Sequence, residues 1–85
     1  MKYVYISLFI RNGEYEYTSN SVHSMNEDLD EQYYGNYHAS TFYNGISEPA
    51  EDGFYFNGGE VFVRCRVACE INQDEFDVLN KFFYL

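Results

Sequence analysis

An alternation of apolar and polar side chains over residues 61–71 constrains the fold of this chain more than any other feature. The six apolar positions are Val61, Val63, Cys65, Val67, Cys69 and Ile71. Because successive side chains of a β-strand point to opposite faces, the pattern predicts a long strand with all six residues on a core face. A chain of 85 residues has room for one such core, so we expect a single domain over residues 1–85.

The first residues of the chain show the same alternation and predict another strand over 2–11. Its aliphatic face comprises Val4, Ile6, Leu8 and Ile10. Asn12-Gly13 follows, and this dipeptide favours a two-residue hairpin turn because both residues tolerate positive φ. In that register Ile10 lies opposite Tyr15. The predicted hairpin thereby places Tyr15 and Tyr17 on the aliphatic face as packing residues.

A first helix is predicted from a capping pattern after the hairpin. Ser24 and Glu27 have the spacing of a capping box, in which each side chain bonds to the backbone N–H of the other. Acidic residues follow in the first turn, where the helix dipole favours them. We expect a short helix over residues 25–34, with Gly35 as its C-terminal stop.

The second half of the chain predicts two more strands and a second helix. Residues 53–56 form a short strand before the long one, and Asn72 and Glu75 have capping-box spacing before an apolar stripe. Residues 36–52 contain Asn44-Gly45 and Pro49 and are predicted to be a loop or a short irregular strand. The expected fold is α+β in the order ββαββα, a four-stranded antiparallel sheet with two helices, the C-terminal helix packed on one face.

Four residues could in principle close a zinc site: Cys65, Cys69, His23 and His38. Four steps along a strand span about 13 Å, too far for the two thiols to share an ion or a disulfide. Cysteines that alternate with valines also lack the partly exposed, thiolate-stabilising setting of a nucleophile. We read both as small buried hydrophobes.

The sequence contains no pattern typical of a calcium-binding, phosphate-binding or catalytic site. The acidic segments 28–31 and 48–52 do not match a calcium-binding EF-hand loop. Phosphate-binding and catalytic motifs of the common types are missing from the sequence. We therefore expect no catalytic residue, no metal ligand and no cofactor, and a small enzyme or metal protein is the weakest alternative.

Charge is distributed unevenly along the chain. The net charge is −9, and the stretch between Arg11 and Arg64 contains ten acidic residues and no Lys or Arg. Such a field repels nucleic acid and anionic membrane and favours a basic protein partner. The opening residues lack the cleavage site of a signal peptide, so we expect a cytoplasmic location.

Tyrosines are interleaved with these acids, more of them than a small core can hide. Tyrosine beside carboxylates suits an interface with an arginine-rich protein, through ion pairs, hydrogen bonds and cation–π contacts. The candidate partner-binding residues are Glu27, Asp28, Asp30, Glu31, Tyr33, Tyr34, Tyr37, Tyr43, Glu48, Glu51 and Asp52.

In size, in its acid-rich window over residues 14–60 and in its interleaved tyrosines, the chain resembles small acidic inhibitors of phages and mobile elements. These are the anti-CRISPR and anti-restriction proteins that imitate nucleic acid. Residues 58–79 also resemble the ends of small bacterial and phage proteins. The first resemblance implies that carboxylates stand in for phosphates in a basic nucleic-acid-binding groove of a defence complex.

Two alternatives stay open: acidity that serves solubility alone, and a structural or regulatory homodimer whose sheet edge or aromatic face pairs with itself.

Overall fold

A computed structural model of the protein describes residues 1–43 and 47–83. The elements are β1 (Lys2–Asn12), β2 (Tyr15–Met25), α1 (Glu31–Ser40), β3 (Glu48–Pro49), β4 (Phe54–Phe56), β5 (Val61–Ile71) and α2 (Gln73–Phe83). The strands form one antiparallel sheet in the order β2-β1-β5-β4-β3. The α+β antiparallel class is confirmed, but the predicted four-stranded sheet is wrong because the described residues form a sheet of five strands.

The additional strand, β3, lies inside the segment predicted to be a loop or a short irregular strand. Glu48 pairs with Tyr55 and Pro49 with Phe54. Proline cannot donate a hydrogen bond to a neighbouring strand, and it is tolerated here because β3 forms the edge of the sheet. The predicted Asn44-Gly45 turn lies outside the described residues.

The β1–β2 hairpin turns one residue later than predicted. Asn12 pairs with Tyr15, which leaves Gly13 (φ +63°) and Glu14 in the turn. Ile10 therefore lies opposite Tyr17 rather than Tyr15. Because the partner moves by two residues, every side chain keeps its predicted face. The predicted packing of Tyr15 is wrong, since this side chain is 78% exposed.

A β-bulge in β5 interrupts the alternation that predicted this strand. Leu8 pairs with Cys65 and Ser7 with Val67, so Arg66 is the extra residue. Beyond the bulge the faces exchange, and Val67 is 39% exposed. The prediction of six consecutive core positions is therefore wrong: Val61 and Val63 are buried, whereas Cys69 is exposed.

Helix α1 begins and ends later than predicted. Its N-cap is Asp30, whereas the predicted cap Ser24 lies in β2, so the prediction of a helix over 25–34 is wrong. Gly35 is buried in the middle of α1 instead of ending it. A glycine stands there because α1 lies so close to β5 that a β-carbon would meet the Cys65 side chain. The mid-helix glycine is thus a packing residue.

The two helices cover opposite faces of the sheet. On the α1 face, the side that carries Val4 and Ile6, α1 packs against β5 and β1. The buried core there consists of Val4, Ile6, Leu8, Ile10, Met25, Ala39, Phe56, Val61 and Val63. On the α2 face, the side that carries Tyr3 and Tyr5, α2 packs against β2 and β1.

Reciprocal hydrogen bonds start helix α2. The Glu75 N–H donates to Asn72 Oδ1 at 2.8 Å, and the Asn72 N–H donates to Glu75 Oε1 at 3.1 Å. The predicted capping box is confirmed. Phe76 contacts Tyr3 and Phe83 contacts Tyr5, with ring centroids 4.5 and 6.3 Å apart.

Candidate functional site

The N-terminal end of α1 gathers four of the predicted acidic residues around one helix cap. Asp30 accepts a hydrogen bond from the Tyr33 N–H at 3.0 Å. The Asn26 side chain accepts one from the Asp28 N–H, also at 3.0 Å, which holds the preceding turn. Carboxylates are favourable here because unpaired backbone N–H groups make the start of a helix positive. Asp30 therefore has a structural role in this fold.

Two of these acids form ion pairs with Met1 and Lys2, at and just before the start of β1. The Glu27 carboxylate lies 2.8 Å from the Met1 amino group, and the Glu31 carboxylate lies 2.8 Å from Lys2 Nζ. These hydrogen bonds lower the pKa of both carboxyls and raise the pKa of Lys2. Part of the charge of Glu27 and Glu31 is thus neutralised within the protein, while the exposed Asp28 carboxylate has no ion-pair partner among the described residues.

The outward side of α1 presents two tyrosines one turn apart. Tyr33 is 65% exposed and Tyr37 is 55% exposed. Beside them, Gln32 Nε2 donates a hydrogen bond to Asn36 Oδ1 at 3.3 Å. A shallow depression runs between these residues and Phe54. Large amphipathic rings in such a setting are typical of protein interfaces.

The loop between β3 and β4 brings two further acids to the side of α1. Glu51 and Asp52 line a cleft of about 320 Å³ whose opposite wall includes Gln32 and Asn36. Both carboxylates belong to exposed residues. Asn36 and Phe54 line both this cleft and the depression beside Tyr33 and Tyr37, so Glu51 and Asp52 lie on the adjoining part of the surface. Asp28 lies two residues before the N-cap of the same helix. We call this region, defined by Asp28, Tyr33, Tyr37, Glu51 and Asp52, the acidic-tyrosine surface.

Besides Glu27, Asp30 and Glu31, three more of the predicted site residues do not belong to this surface. Tyr34 packs against the core, and the Tyr43 ring lies 5.6 Å from the Phe56 ring. The Tyr43 hydroxyl shares a hydrogen bond of 2.9 Å with the Tyr17 hydroxyl. Glu48 pairs with Tyr55, which places its side chain on the α2 face. Sequence periodicity could not separate Tyr43 and Glu48 because they lie beside irregular segments. It could not separate Tyr34 because the inward side of α1 depends on where β5 lies.

A histidine pair joins β2 to α1, with His23 on the strand and His38 on the helix. The His23 and His38 ring centroids are 4.3 Å apart, and His23 Nε2 shares a hydrogen bond of 2.7 Å with Ser21 Oγ. Burial, followed by the nearby His38, lowers the pKa of His23 to about 4, and burial also lowers the pKa of His38. Both rings are therefore neutral at pH 7. In the part of the chain that the structure describes, no three His, Cys, Asp or Glu side chains are placed to hold a metal ion.

The sequence interpretation missed a cluster of basic residues on the α2 face. The Arg64 guanidinium lies 5.1 Å from the centre of the Phe9 ring, and that of Arg11 lies 5.6 Å from the centre of the Phe62 ring. The sequence does contain a signal for this cluster, because residues two apart on a strand share a face. Phe9 and Arg11 are two residues apart on one strand, Phe62 and Arg64 on another, so each pair shares a face.

No helix in residues 1–43 or 47–83 has the length and apolar character needed to cross a membrane. Comparisons of the chain with models of protein families, with curated proteins and with solved structures found no match.

Proposed function

We propose that this protein is a non-enzymatic binding module whose acidic-tyrosine surface engages a basic surface of another protein. In its specific form, the proposal is that the module occupies a nucleic-acid-binding groove in the cytoplasm. It would then act as an inhibitor of the anti-CRISPR or anti-restriction type.

The observation that carries this proposal is the exposure of Tyr33 and Tyr37 in a depression that adjoins the cleft lined by Glu51 and Asp52. Arginine side chains of a partner can pair with Glu51 or Asp52 and stack on a tyrosine ring at the same time. Tyrosines that served only the core would be turned inward, as Tyr34 is. Burying two rings adds apolar contact to the electrostatic attraction.

The carboxylates available to imitate phosphates are fewer than composition suggests. Glu27 and Glu31 form ion pairs and Asp30 caps α1, so these three contribute to the fold. Asp28, Glu51 and Asp52 are therefore the main carboxylates that can imitate phosphates. An interface of this kind depends on exposed charges, so its affinity should fall steeply as salt increases.

A charge-matched comparison tests the proposal. One variant carries Asp28→Asn, Glu51→Gln and Asp52→Asn, and its control carries Glu14→Gln, Glu16→Gln and Asp77→Asn. Removing three negative charges from −9 leaves −6 in both proteins. Each is used for affinity capture from a bacterial lysate at low salt, and the captured proteins are then challenged with duplex DNA.

We expect the unmodified protein and the control to retain the same nucleic-acid-binding protein, and DNA to displace it. The first variant should lose it. Equal loss in both variants would mean that net charge alone determines capture, and retention at high salt would argue against phosphate mimicry.

The free edge of β2 favours a second candidate, a homodimer module. β2 is an 11-residue edge strand that contains no proline, lysine or arginine. Natural edge strands usually carry such residues to prevent pairing with another chain. Antiparallel pairing of two β2 strands about their midpoint, Asn20, would join two sheets into one.

Light scattering tests the dimer directly. Asn20→Lys places like charges opposite each other at the centre of the proposed pair and should shift a dimer to monomer. Asn36→Lys makes the same charge change on α1 and should have no effect. A protein that stays monomeric at high concentration would exclude this candidate.

A further inference from the structure

The α2 face of the sheet carries all three arginines of the chain at the end away from the helix contacts. Described residues of α2 contact Tyr3 and Tyr5 at one end of β1. At the other end of β1, the strand register places Arg11 opposite Phe62 and Phe9 opposite Arg64. Arg66, at the bulge, donates a hydrogen bond from Nη1 to Ser7 Oγ at 3.1 Å. We call this region, defined by Phe9, Arg11, Phe62, Arg64 and Arg66, the arginine face.

Within the described residues the arginines have no carboxylate partner, although the chain is strongly acidic. In residues 1–43 and 47–83, the only cationic groups within 4.0 Å of a carboxylate oxygen are the Met1 amino group and Lys2 Nζ, and no guanidinium is among them. Even Glu16, directly opposite Arg11 in the hairpin, does not pair with it. Instead, Phe9 and Phe62 support two of the guanidinium groups. A guanidinium held on a ring keeps N–H donors at its rim, and these donors match a carboxylate.

We infer that the arginine face binds an extended acidic segment of a partner protein. Arg11 and Arg64 are diagonal neighbours on adjacent strands, so their backbone positions are about 7–8 Å apart. Alternate side chains of an extended chain recur every ~6.6 Å. Carboxylates at alternate positions of such a segment can therefore reach both guanidinium groups.

Nucleic acid fits this surface less well than an acidic segment does. Phe62 is only 8% exposed and lies beneath Arg11, and Arg64 lies over Phe9, so neither ring offers a free platform for stacking bases. The net charge of −9 also repels a long polyanion, whereas a few carboxylates can be matched locally. The arginine face and the acidic-tyrosine surface lie on opposite sides of the sheet, so one molecule can contact both kinds of partner.

Binding of synthetic peptides tests this inference. The probe is a short fluorescent peptide with glutamates at alternate positions, and its reference is the same peptide with glutamines. Fluorescence anisotropy at low salt should show binding of the glutamate peptide only. Arg11→Gln and Arg64→Gln should each weaken it by about tenfold, the usual scale for losing one charge-assisted contact at a partly desolvated site.

The control is Lys81→Gln, which removes one positive charge from an exposed position on α2. It should leave the affinity for the glutamate peptide unchanged. Arg64→Lys keeps the charge but not the planar fork, so it should bind more weakly than the unmodified protein. Circular dichroism confirms that each variant is folded.

Four outcomes would overturn the inference. These are no binding of the glutamate peptide, equal weakening by Lys81→Gln, tighter arginine-dependent binding of an oligothymidylate, or self-association that Arg11→Gln abolishes. Tighter binding of the oligothymidylate would identify nucleic acid as the occupant. Self-association that Arg11→Gln abolishes would identify a second copy of the chain. All are distinguishable from failure of the acidic-tyrosine surface, because the peptide assay does not involve Asp28, Glu51 or Asp52.

Discussion

Gly35 of α1 lies against Cys65 of β5 so closely that a β-carbon on the glycine would be 2.5 Å from Cys65 Sγ. The same β-carbon would be 3.0 Å from the Ala68 β-carbon. The missing side chain therefore sets how near the helix approaches the sheet. The approach also buries the Cys65 thiol, which raises its pKa.

We expect Gly35→Ala to destabilise the protein although alanine favours helix more than glycine. The gain in helix propensity is about 1 kcal/mol, whereas overpacking costs about 1–3 kcal/mol. The approach of 2.5 Å to Sγ puts the cost in the upper part of that range, about 2–3 kcal/mol. A net loss of about 1–2 kcal/mol should therefore appear in urea unfolding followed by circular dichroism.

The neighbouring Asn36→Ala is exposed and provides the control, with no loss expected. In the double variant Gly35→Ala, Cys65→Ala, removal of the sulfur should restore part of the stability lost by Gly35→Ala. A Gly35→Ala protein as stable as the original would contradict the close approach.

Because of His23, the folded protein should lose stability as the pH falls from 7 to 5. Its pKa falls to about 4 in the folded protein, below its usual 6.5, because the ring is partly buried next to His38. Its contribution to stability is thus fully present above about pH 6.5 and is lost as pH falls towards 4, since the unfolded chain takes up the proton first. We expect a loss of about 1–2 kcal/mol between pH 7 and pH 5, allowing for partial solvation.

Thermal unfolding of the His23→Gln variant across this pH range measures the contribution. The variant should show a smaller decline than the original. Acidic groups with lowered pKa values, such as Glu27 and Glu31, lose their contribution mainly below pH 4.5 and should behave alike in both proteins. A decline of equal size in both would exclude His23 as the cause.

The Arg66–Ser7 hydrogen bond should contribute to the stability of the bulge. Ser7 is 1% exposed, and Arg66 is its hydrogen-bond donor. Arg66→Ala leaves a buried hydroxyl without that donor, which should cost about 1–2 kcal/mol in urea unfolding. In the double variant with Ser7→Ala the cost of losing Arg66 should shrink, because no buried hydroxyl remains. Additive losses would show that the bond contributes nothing.

The capping box of α2 provides a local test. Asn72→Ala removes the side-chain acceptor for the Glu75 N–H, so we expect a loss of about 1 kcal/mol in thermal or urea unfolding. Asn80→Ala changes the same residue type at an exposed position within α2 and should be neutral or slightly stabilising. Equal effects would mean that the cap makes no contribution.

The sequence interpretation succeeded where structure depends on neighbouring residues. The alternation in β1 and the pairing of Asn72 with Glu75 involve contacts within a few positions, so both were predictable. For the candidate site, composition identified Tyr33 and Tyr37 but could not distinguish them from Tyr34. Which side of α1 faces the sheet depends on where β5 lies.

The sequence by itself determined the strand-rich α+β character, the faces of β1 and β2 and the start of α2, because side-chain alternation and capping are local properties. Only the tertiary structure decided the bulge at Arg66, the place of Gly35 inside α1 and the strand at Glu48–Pro49. Each of these depends on contacts between segments distant in sequence. The separation of the arginine face from the acidic-tyrosine surface is likewise a product of strand pairing.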